Sequence, residues 1–296
     1  MPDPEISIIL PSYNEEKVIG GLIERINKLP LEQPYEVIVV DDCSTDDTVG
    51  AAEAAGARVV RHPVNSGNGA SVKSGARAAR GRTLVFLDGD GQHPPEDIPK
   101  LLEHIGEYDM AVGSRTKSSD TELVRNLGNW GLRQIARIVT GRKIPDLTSG
   151  FRAVKKARFL EFYKLYPQRY SYPTTITISM LRKGRFVKFV PLDTITRREK
   201  GTSNINPVRD GAHFIIIMLR IIMFFAPHRV FLPVGGLMML GGAGLGLYQI
   251  LTYGGVFGAS ITLSLGGIFI MLFGLLADLI STTMRNMAGY RPDEDE

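Results

Sequence analysis

Short apolar runs alternate with helix-like stretches along the first 112 residues, and this alternation limits the fold more than any other feature of the chain. Runs such as Ile6–Leu10, Val37–Val40 and Thr83–Leu87 are nearly continuous in apolar side chains, as strands buried on both faces require. A stretch with helical spacing of apolar residues, or with many alanines, follows each run. The pattern predicts an α/β fold with a doubly wound, mostly parallel sheet. Further strands are expected at Arg58–Arg61 and Met110–Val112, and helices at Glu15–Leu29, Thr48–Ala55, Gly69–Ala79 and Pro95–Ile105.

Acidic side chains follow the predicted strands, at the point where each strand ends. Glu15 comes after the first strand, Asp41 and Asp42 close the second, and Asp88 and Asp90 follow the fourth. In open α/β sheets, ligands bind outside the carboxyl ends of the strands. We therefore expect these acids to share one binding site.

The turn Asp88-Gly89-Asp90-Gly91-Gln92 is the candidate cation site of the chain. Its two carboxylates, at positions i and i+2, offer oxygen ligands without a cluster of cysteine or histidine nearby. Oxygen ligands suit a hard cation such as Mg²⁺ or Mn²⁺, and such a cation can hold a diphosphate. Taken alone, the stretch is also compatible with an ordinary polar turn after a strand.

The segment Ser66–Gly69 matches a dinucleotide-binding fingerprint only in part. It lacks the third glycine, and it follows the third predicted strand instead of the first. Dinucleotide binding is therefore not expected here. A loop at the rim of a nucleotide pocket fits this position, and so does a plain turn.

The chain becomes strongly apolar beyond about residue 210. Two segments, about Val230–Tyr253 and about Ala259–Ile280, reach the roughly 20 residues needed to cross about 30 Å of hydrocarbon. Between residues 231 and 284 the only acidic or basic side chain is that of Asp278. We expect two transmembrane helices joined by a tight hairpin, with two buried helices of a soluble core as the alternative.

A shorter apolar segment, His213–Ala226, precedes the two predicted spans. At 14 residues it is too short to cross a bilayer, it contains Arg220, and Pro227 ends it. These features favour an interfacial helix that lies along the lipid headgroups, with Arg220 reaching to the surface. A buried amphipathic helix is the alternative.

Three features indicate a cytoplasmic location for the soluble part. Basic residues flank the outer ends of both spans, and the positive-inside tendency then places both ends in the cytoplasm. The N-terminus has no basic segment followed by an apolar one, so no secretory signal is expected. The single cysteine, Cys43, excludes an intrachain disulfide and fits a reducing compartment. The flanking basic residues are His228, Arg229, Arg285 and Arg291.

The chain is thus expected to have four parts: a soluble domain at 1–210, a juxtamembrane helix at 211–229, two transmembrane helices within 230–284 and a cytoplasmic tail at 285–296. The net charge is only +4, and no basic run is interleaved with aromatics, so nucleic acid is not expected as a partner. Basic residues beside the apolar region favour an anionic membrane surface instead. Gly242 and Gly246 have the small-xxx-small spacing that permits close helix packing and self-association into a homo-oligomer.

Three motifs of the soluble part resemble those of family 2 glycosyltransferases with the GT-A fold, most closely the polyprenyl-phosphate branch that includes dolichyl-phosphate mannose synthases. They are the opening motif 11–16, the acidic segment 41–46 and the metal motif 88–96. Cys43 departs from the glycine or asparagine usual in this family. The resemblance implies nucleotide binding by Pro11, Tyr13, Glu15, Asp41, Asp42 and Asp88, and metal binding by Asp88, Asp90 and Gln92.

Later segments extend the resemblance to the acceptor side. Residues 113–115, 146–152 and 198–203 are similar to the Gly-Ser-Arg, Asp-x-x-Ser-Gly-Phe-Arg and Arg-x-x-Gly-x-Ser segments of this branch. Gln134–Arg137 precedes the second of them and lacks the tryptophan that follows the Gln-x-x-Arg of processive synthases, which favours a single transfer. The resemblance implies acceptor-phosphate binding by Arg115, Arg125, Arg198 and Ser203, and catalysis by Asp90 with the three arginines.

The resemblance implies a metal-dependent hexosyltransferase. It would transfer a hexose, with inversion, from a nucleotide diphosphate sugar of the GDP-mannose or UDP-glucose type to a dolichyl or undecaprenyl phosphate at the cytoplasmic membrane face. Such a phosphate is largely ionised near neutral pH, since its second pKa is about 6, so no general base is required. Arginine guanidinium groups match its oxygens. The alternatives are a membrane-anchored transferase with a non-lipid acceptor and a non-catalytic nucleotide-sugar-binding membrane protein.

Overall fold

The computed structural model of the protein describes residues 3–115, 134, 136–137, 140–142, 144–168, 172–192 and 222–287. These residues divide into two compact units. The first unit contains the described residues up to 115 and those of 144–192. The second contains the described residues of 134–142 together with 222–287.

The first unit is a sheet flanked by helices, as the alternating pattern predicts. Its described strands are β1 (Ile6–Ser12), β2 (Tyr35–Asp41), β3 (Arg58–Arg61), β4 (Thr83–Phe86), β5 (Met110–Arg115), β6 (Arg152–Lys155) and β7 (Val187–Leu192). Its described helices are α1 (Glu16–Asn27), α2 (Thr48–Ala54), α3 (Asn68–Ala78), α4 (Ile98–Leu102), α5 (Lys156–Glu161) and α6 (Tyr172–Arg182), with short 3₁₀ helices at Pro95–Asp97 and Tyr163–Leu165.

The strand order is β3-β2-β1-β4-β6-β5-β7. Strand β1 pairs in parallel with β2 and with β4, and β5 pairs in parallel with β7. This confirms the expected doubly wound, mostly parallel sheet. The chain builds outwards from β1 to β3 and then returns to the other side of β1, so the order reverses between β1 and β4. Ligands of such sheets bind at this reversal point.

Strand β6 departs from the parallel pattern because it runs antiparallel to both of its neighbours, β4 and β5. Arg152, its first residue, pairs with Phe86 of β4 and with Val112 of β5. A strand that runs antiparallel to both of its neighbours begins at the edge of the sheet where those neighbours end. The segment that precedes β6 therefore lies at the carboxyl ends of the central strands, next to the turn that follows β4.

Apolar layers cover both faces of the sheet. Ile8 and Leu10 of β1 belong to a layer that contains Ile23 of α1, whereas Ile9 belongs to the opposite layer with Val72 of α3. Successive strand residues point to opposite faces, so β1 contributes to both layers. A strand buried on both faces is held rigidly, and the turns at its carboxyl end start from a defined position.

The second unit contains two long helices, α7 (His228–Tyr253) and α8 (Gly258–Met287). Both are long and apolar enough to cross a membrane, and only 17% and 11% of their most apolar windows are buried. A core helix of a soluble protein would be mostly buried, so these values favour membrane spans. Gly254, with φ of +74°, adopts the left-handed conformation that ends α7. The expected juxtamembrane helix falls mostly outside the described residues.

Candidate nucleotide and metal site

A cavity of about 270 Å³ opens at the carboxyl ends of β1 and β4, where the strand order reverses. Acids from all three predicted turns line this one cavity. Its lining residues are Pro11, Ser12, Tyr13, Glu15, Asp42, Asn68, Ser71, Asp88, Gly89 and Asp90. The sequence predicts that acids from several strand ends share one site. Glu15, Asp42, Asp88 and Asp90 do lie together at this cavity.

Hydrogen bonds from the neighbouring loop fix the turn after β1. Asn14, with φ of +55°, donates its backbone N–H to Ser44 Oγ at 2.9 Å. The backbone N–H of Glu15 donates to Thr48 Oγ1, also at 2.9 Å. Within this turn, Tyr13 stays 47% exposed and lines the cavity. Its ring is therefore available for stacking on a flat ligand group such as a nucleobase.

The Asp42 carboxylate is buried and accepts three hydrogen bonds. Oδ1 lies 2.8 Å from His62 Nδ1 and 2.8 Å from the backbone nitrogen of Ser66, and Oδ2 lies 2.7 Å from the backbone nitrogen of Gly67. Burial raises the pKa of Asp42, but the hydrogen bonds from His62, Ser66 and Gly67 outweigh it, and the pKa lies below its usual value. Asp42 is therefore ionised at neutral pH.

Asp41 is not among the described residues that line the cavity. Its fully buried carboxylate accepts the backbone N–H of Ser44 at 3.2 Å and lies 3.3 Å from Arg61 Nε. These contacts stabilise the loop after β2. The two adjacent aspartates thus have different surroundings, since only Asp42 faces the cavity.

Asp88 and Asp90 both line the cavity, at the end of β4. Asp88 Oδ1 lies 3.4 Å from Asn68 Nδ2. Asp90 Oδ1 accepts the backbone N–H of Gln92 at 3.1 Å, and Oδ2 accepts its side-chain amide at 2.7 Å. Gln92 is thus in contact with Asp90 although it is not among the described lining residues.

The charges at this turn favour a bound cation. Burial raises the pKa of Asp88, and so does the neighbouring charge of Asp90, while His93, Asn68 and Arg152 act in the opposite direction. A cation next to both carboxylates would remove their repulsion. Among the described residues, no group of three or more His, Cys, Asp or Glu is gathered for a metal. Two carboxylates fit Mg²⁺ nevertheless, because this ion commonly takes one or two from the protein and its other ligands from substrate phosphates and water.

Arg152 is a buried residue next to the site to which the sequence assigned no role. Its guanidinium donates to Ser149 O, to Pro173 O at 3.2 Å and to Thr177 Oγ1 at 3.4 Å, and lies over the Tyr172 ring at 5.4 Å. It thereby joins the segment before β6 to the start of α6. Burial lowers the pKa of Arg152, against the charges of its tyrosine and aspartate neighbours. Only the pairing of β6 inside the sheet reveals that this arginine is buried.

The predicted acceptor-phosphate residues are not brought together by the described part of the chain. Arg115 is the last residue of β5, and its side chain is not among those that the structure describes. Arg125, Arg198 and Ser203 also lie outside the described residues. Their roles stay predictions.

The mostly parallel sheet, with an acid-lined cavity at its reversal point, is an α/β domain of the GT-A type. The chain belongs to glycosyl transferase family 2, whose sequence model matches residues 7–161. The model of the GtrB C-terminal hairpin matches residues 226–283, which contain α7 and nearly all of α8. This match and the two apolar helices indicate membrane anchoring.

Relatives of this chain include transferases named for polyprenyl phosphates. The dolichol-phosphate mannosyltransferase of Pyrococcus furiosus is 34% identical over 213 residues, which cover 68% of this chain and 59% of that protein. The undecaprenyl-phosphate mannosyltransferase of Micrococcus luteus is 30% identical over 212 residues, which cover 67% and 86%. The expected resemblance to the polyprenyl-phosphate branch is confirmed.

A solved structure of similar fold contains a metal and a donor. It is glucosyl-3-phosphoglycerate synthase from Mycobacterium tuberculosis in complex with Mn²⁺ and UDP-glucose, with a TM-score of 0.58 and 25% sequence identity. The similarity covers 73% of this chain and 79% of that chain.

Proposed function

We propose that this protein transfers a hexose from a nucleotide diphosphate sugar, of the GDP-mannose or UDP-glucose type, to a dolichyl or undecaprenyl phosphate with inversion at the anomeric carbon. The transfer occurs at the cytoplasmic face of a membrane. One observation carries the proposal: Asp88 and Asp90 line the same cavity as Tyr13 and Asp42, in a chain that continues into two apolar helices. The names of the relatives support the lipid acceptor.

In this proposal, the residues on the nucleotide side of the cavity bind the base and the nucleoside. Tyr13 offers an exposed ring for the base, because aromatic side chains stack on any nucleobase. Asp42 has one acceptor position left on Oδ2, since three of the roughly four lone-pair positions of a carboxylate are already used. That position can accept a hydrogen bond from the nucleoside. Pro11 and Glu15 complete the lining of the proposed nucleotide site, and Asp41 supports it indirectly by holding the loop after β2.

Asp88, Asp90 and Gln92 would hold Mg²⁺ or Mn²⁺ beside the diphosphate. A cation in this place supplies Lewis-acid stabilisation of the departing diphosphate. Asp88 and Asp90 both line the cavity, and Asn68 contacts Asp88 Oδ1 at 3.4 Å. The Gln92 amide can turn its oxygen to the same place, because only its nitrogen is engaged by Asp90.

The acceptor phosphate needs positive charge more than it needs a base, because it is already ionised at neutral pH. Arg115, Arg125 and Arg198, with Ser203, are the proposed binding residues. Membrane anchoring restricts the catalytic domain to the surface in which the lipid phosphate resides. Such restriction raises the effective concentration of the acceptor at the site. The basic flanks of the two apolar helices support the cytoplasmic orientation.

The test is a transfer assay with the full-length protein in bilayer vesicles that contain undecaprenyl phosphate. Radiolabelled GDP-mannose or UDP-glucose is added with Mn²⁺, and the lipid product is extracted into organic solvent. The proposal expects label in the organic phase with one of the donors. A chelator of divalent cations should abolish the label.

The two alternatives give different results in the same assay. A transferase with a non-lipid acceptor would hydrolyse or transfer the donor without label in the organic phase. A non-catalytic binding protein would bind the nucleotide sugar and leave it intact. Either result, with a protein that binds the donor, contradicts the lipid-phosphate proposal.

A further inference from the structure

His62 links the nucleotide side of the cavity to helix α3. It follows β3, and its ring is largely buried, with 12% of the side chain exposed. Nδ1 lies 2.8 Å from Asp42 Oδ1, and Nε2 lies 2.8 Å from Ser74 Oγ in α3. Both ring nitrogens are therefore engaged, and the ring has a defined orientation.

The partners of His62 determine which nitrogen carries the hydrogen in the neutral ring. The ionised Asp42 carboxylate can only accept, so Nδ1–H donates to it. Nε2 is then the acceptor for the Ser74 hydroxyl, which donates. Ser74 thus holds the ring in the tautomer that Asp42 requires.

Asp42 in turn holds the loop that leads into α3. Its carboxylate accepts the backbone N–H groups of Ser66 and Gly67, and its backbone oxygen accepts the side-chain amide of Asn65 at 3.3 Å. Gly67 has φ of +93°, a conformation that side chains other than glycine rarely adopt. The loop therefore has one defined path around the Asp42 carboxylate.

The next residue after this loop lies at the metal side of the cavity. Asn68 begins α3, lines the cavity and has its Nδ2 3.4 Å from Asp88 Oδ1. A continuous chain of contacts thus runs from His62 through Asp42 and the loop to Asp88. Displacement of Asp42 would change both sides of the cavity at once.

We propose that His62 is a positioning residue for the nucleotide donor, which it never touches. It aligns the Asp42 carboxylate so that one acceptor position faces the cavity, and through Asp42 it holds the loop that places Asn68 beside Asp88. The ligand class is a nucleoside diphosphate with a divalent cation. This inference rests on the proposed function, because it requires the cavity to bind such a donor.

The experiment compares three variants of the full-length protein in detergent: His62→Ala, His62→Asn and Ser74→Ala. Asparagine keeps an N–H donor near the place of Nδ1, whereas alanine removes it. The dissociation constants of GDP and of UDP, each with Mn²⁺, are measured by calorimetry. Hydrogen exchange at the amides of Ser66 and Gly67 is followed by mass spectrometry, and thermal unfolding shows how much of each variant is folded.

We expect His62→Ala to weaken nucleotide binding by about tenfold, which corresponds to the loss of one hydrogen bond to a charged group. Exchange at Ser66 and Gly67 should become faster in the same variant. His62→Asn should restore both values to within about threefold of the unaltered protein, and Ser74→Ala should have a smaller effect than His62→Ala.

Three results would overturn the inference. His62→Ala could bind nucleotide as tightly as the unaltered protein, its exchange at Ser66 and Gly67 could stay unchanged, or His62→Asn could be as weak as His62→Ala. A role in stability alone would lower the unfolding temperature without changing the affinity of the folded protein. If the unaltered protein binds neither nucleotide, the proposed function is wrong and this inference is wrong with it. If the unaltered protein binds nucleotide and His62→Ala binds it equally tightly, only this inference is wrong.

Discussion

Gly150 lies directly against the carboxylate of Asp88. A Cβ atom at residue 150 would lie 2.7 Å from Asp88 Oδ2, which is closer than real Cβ contacts come. Gly150 belongs to the segment before the antiparallel strand β6, whereas Asp88 follows β4. The glycine therefore leaves the space that the carboxylate occupies at the cavity.

Replacement of Gly150 by alanine should displace the Asp88 carboxylate and impair catalysis. A shift of about 1 Å in a reacting group can lower the rate about a hundredfold, and we expect a loss of that order in hexosyl transfer. The affinity for Mn²⁺ with nucleotide should fall in parallel. Gly21→Ala is the control, because a Cβ on this exposed residue of α1 meets nothing within 4 Å. Full activity of Gly150→Ala would contradict the assigned position of Asp88.

Replacement of Asp90 by alanine should abolish transfer and leave the protein folded. Metal assistance contributes several kcal/mol to the transition state, so a rate loss of about a thousandfold is expected. The measurement is lipid-linked product formed per minute, together with circular dichroism for the fold. The exposed Glu103→Gln variant controls for a general effect of acid removal. Near-normal turnover of a folded Asp90→Ala protein would contradict the assignment of Asp90 as a metal ligand.

Replacement of Arg152 by methionine should destabilise the first unit. The buried acceptor Ser149 O would lose its donor, and a buried group left unsatisfied costs about 1–3 kcal/mol. A lower temperature of thermal unfolding is the readout, with the exposed Arg82→Met as the control. Unchanged unfolding of Arg152→Met would mean that the guanidinium contacts contribute no net stability.

The stabilisation from Asp42 should depend on pH in a defined direction. Its pKa in the folded protein lies below the unfolded value of about 3.9, so its contribution is fully present above that value and is lost as the pH falls towards the folded pKa. The difference in unfolding free energy between the unaltered protein and Asp42→Asn should be about 2 kcal/mol at pH 7 and should shrink below about pH 4. A difference that grows on acidification would refute this account.

The close approach of α7 and α8 should require glycine at residue 242. A Cβ there would lie 2.8 Å from Ser260 O, whereas a Cβ at Gly244 meets nothing within 4 Å. Gly242→Ala should therefore lower the unfolding temperature of the detergent-solubilised protein by several degrees, and Gly244→Ala should not. Equal behaviour of the two variants would show that the helices do not depend on this contact.

The sequence alone determined the parts of this protein that rest on local periodicity. Continuous apolar runs identified strands buried on both faces, and long apolar segments identified α7 and α8. The acids that follow β1, β2 and β4 could be assigned to one site, because the carboxyl ends of parallel strands share one edge of the sheet. Glu15, Asp42 and Asp88 do line one cavity, although no local pattern specifies their side-chain contacts.

Only the tertiary structure decided what surrounds these acids. Strand β6 carries no signal for its direction, since residue patterns record burial and periodicity but not which strand a segment pairs with. Its antiparallel insertion buries Arg152 and sets Gly150 against Asp88. The contact between His62 and Asp42 likewise needs β3 beside β2, which joins residues 20 positions apart. Such pairs form because non-local strand pairing brings them together, and a single sequence does not encode that pairing in any local pattern.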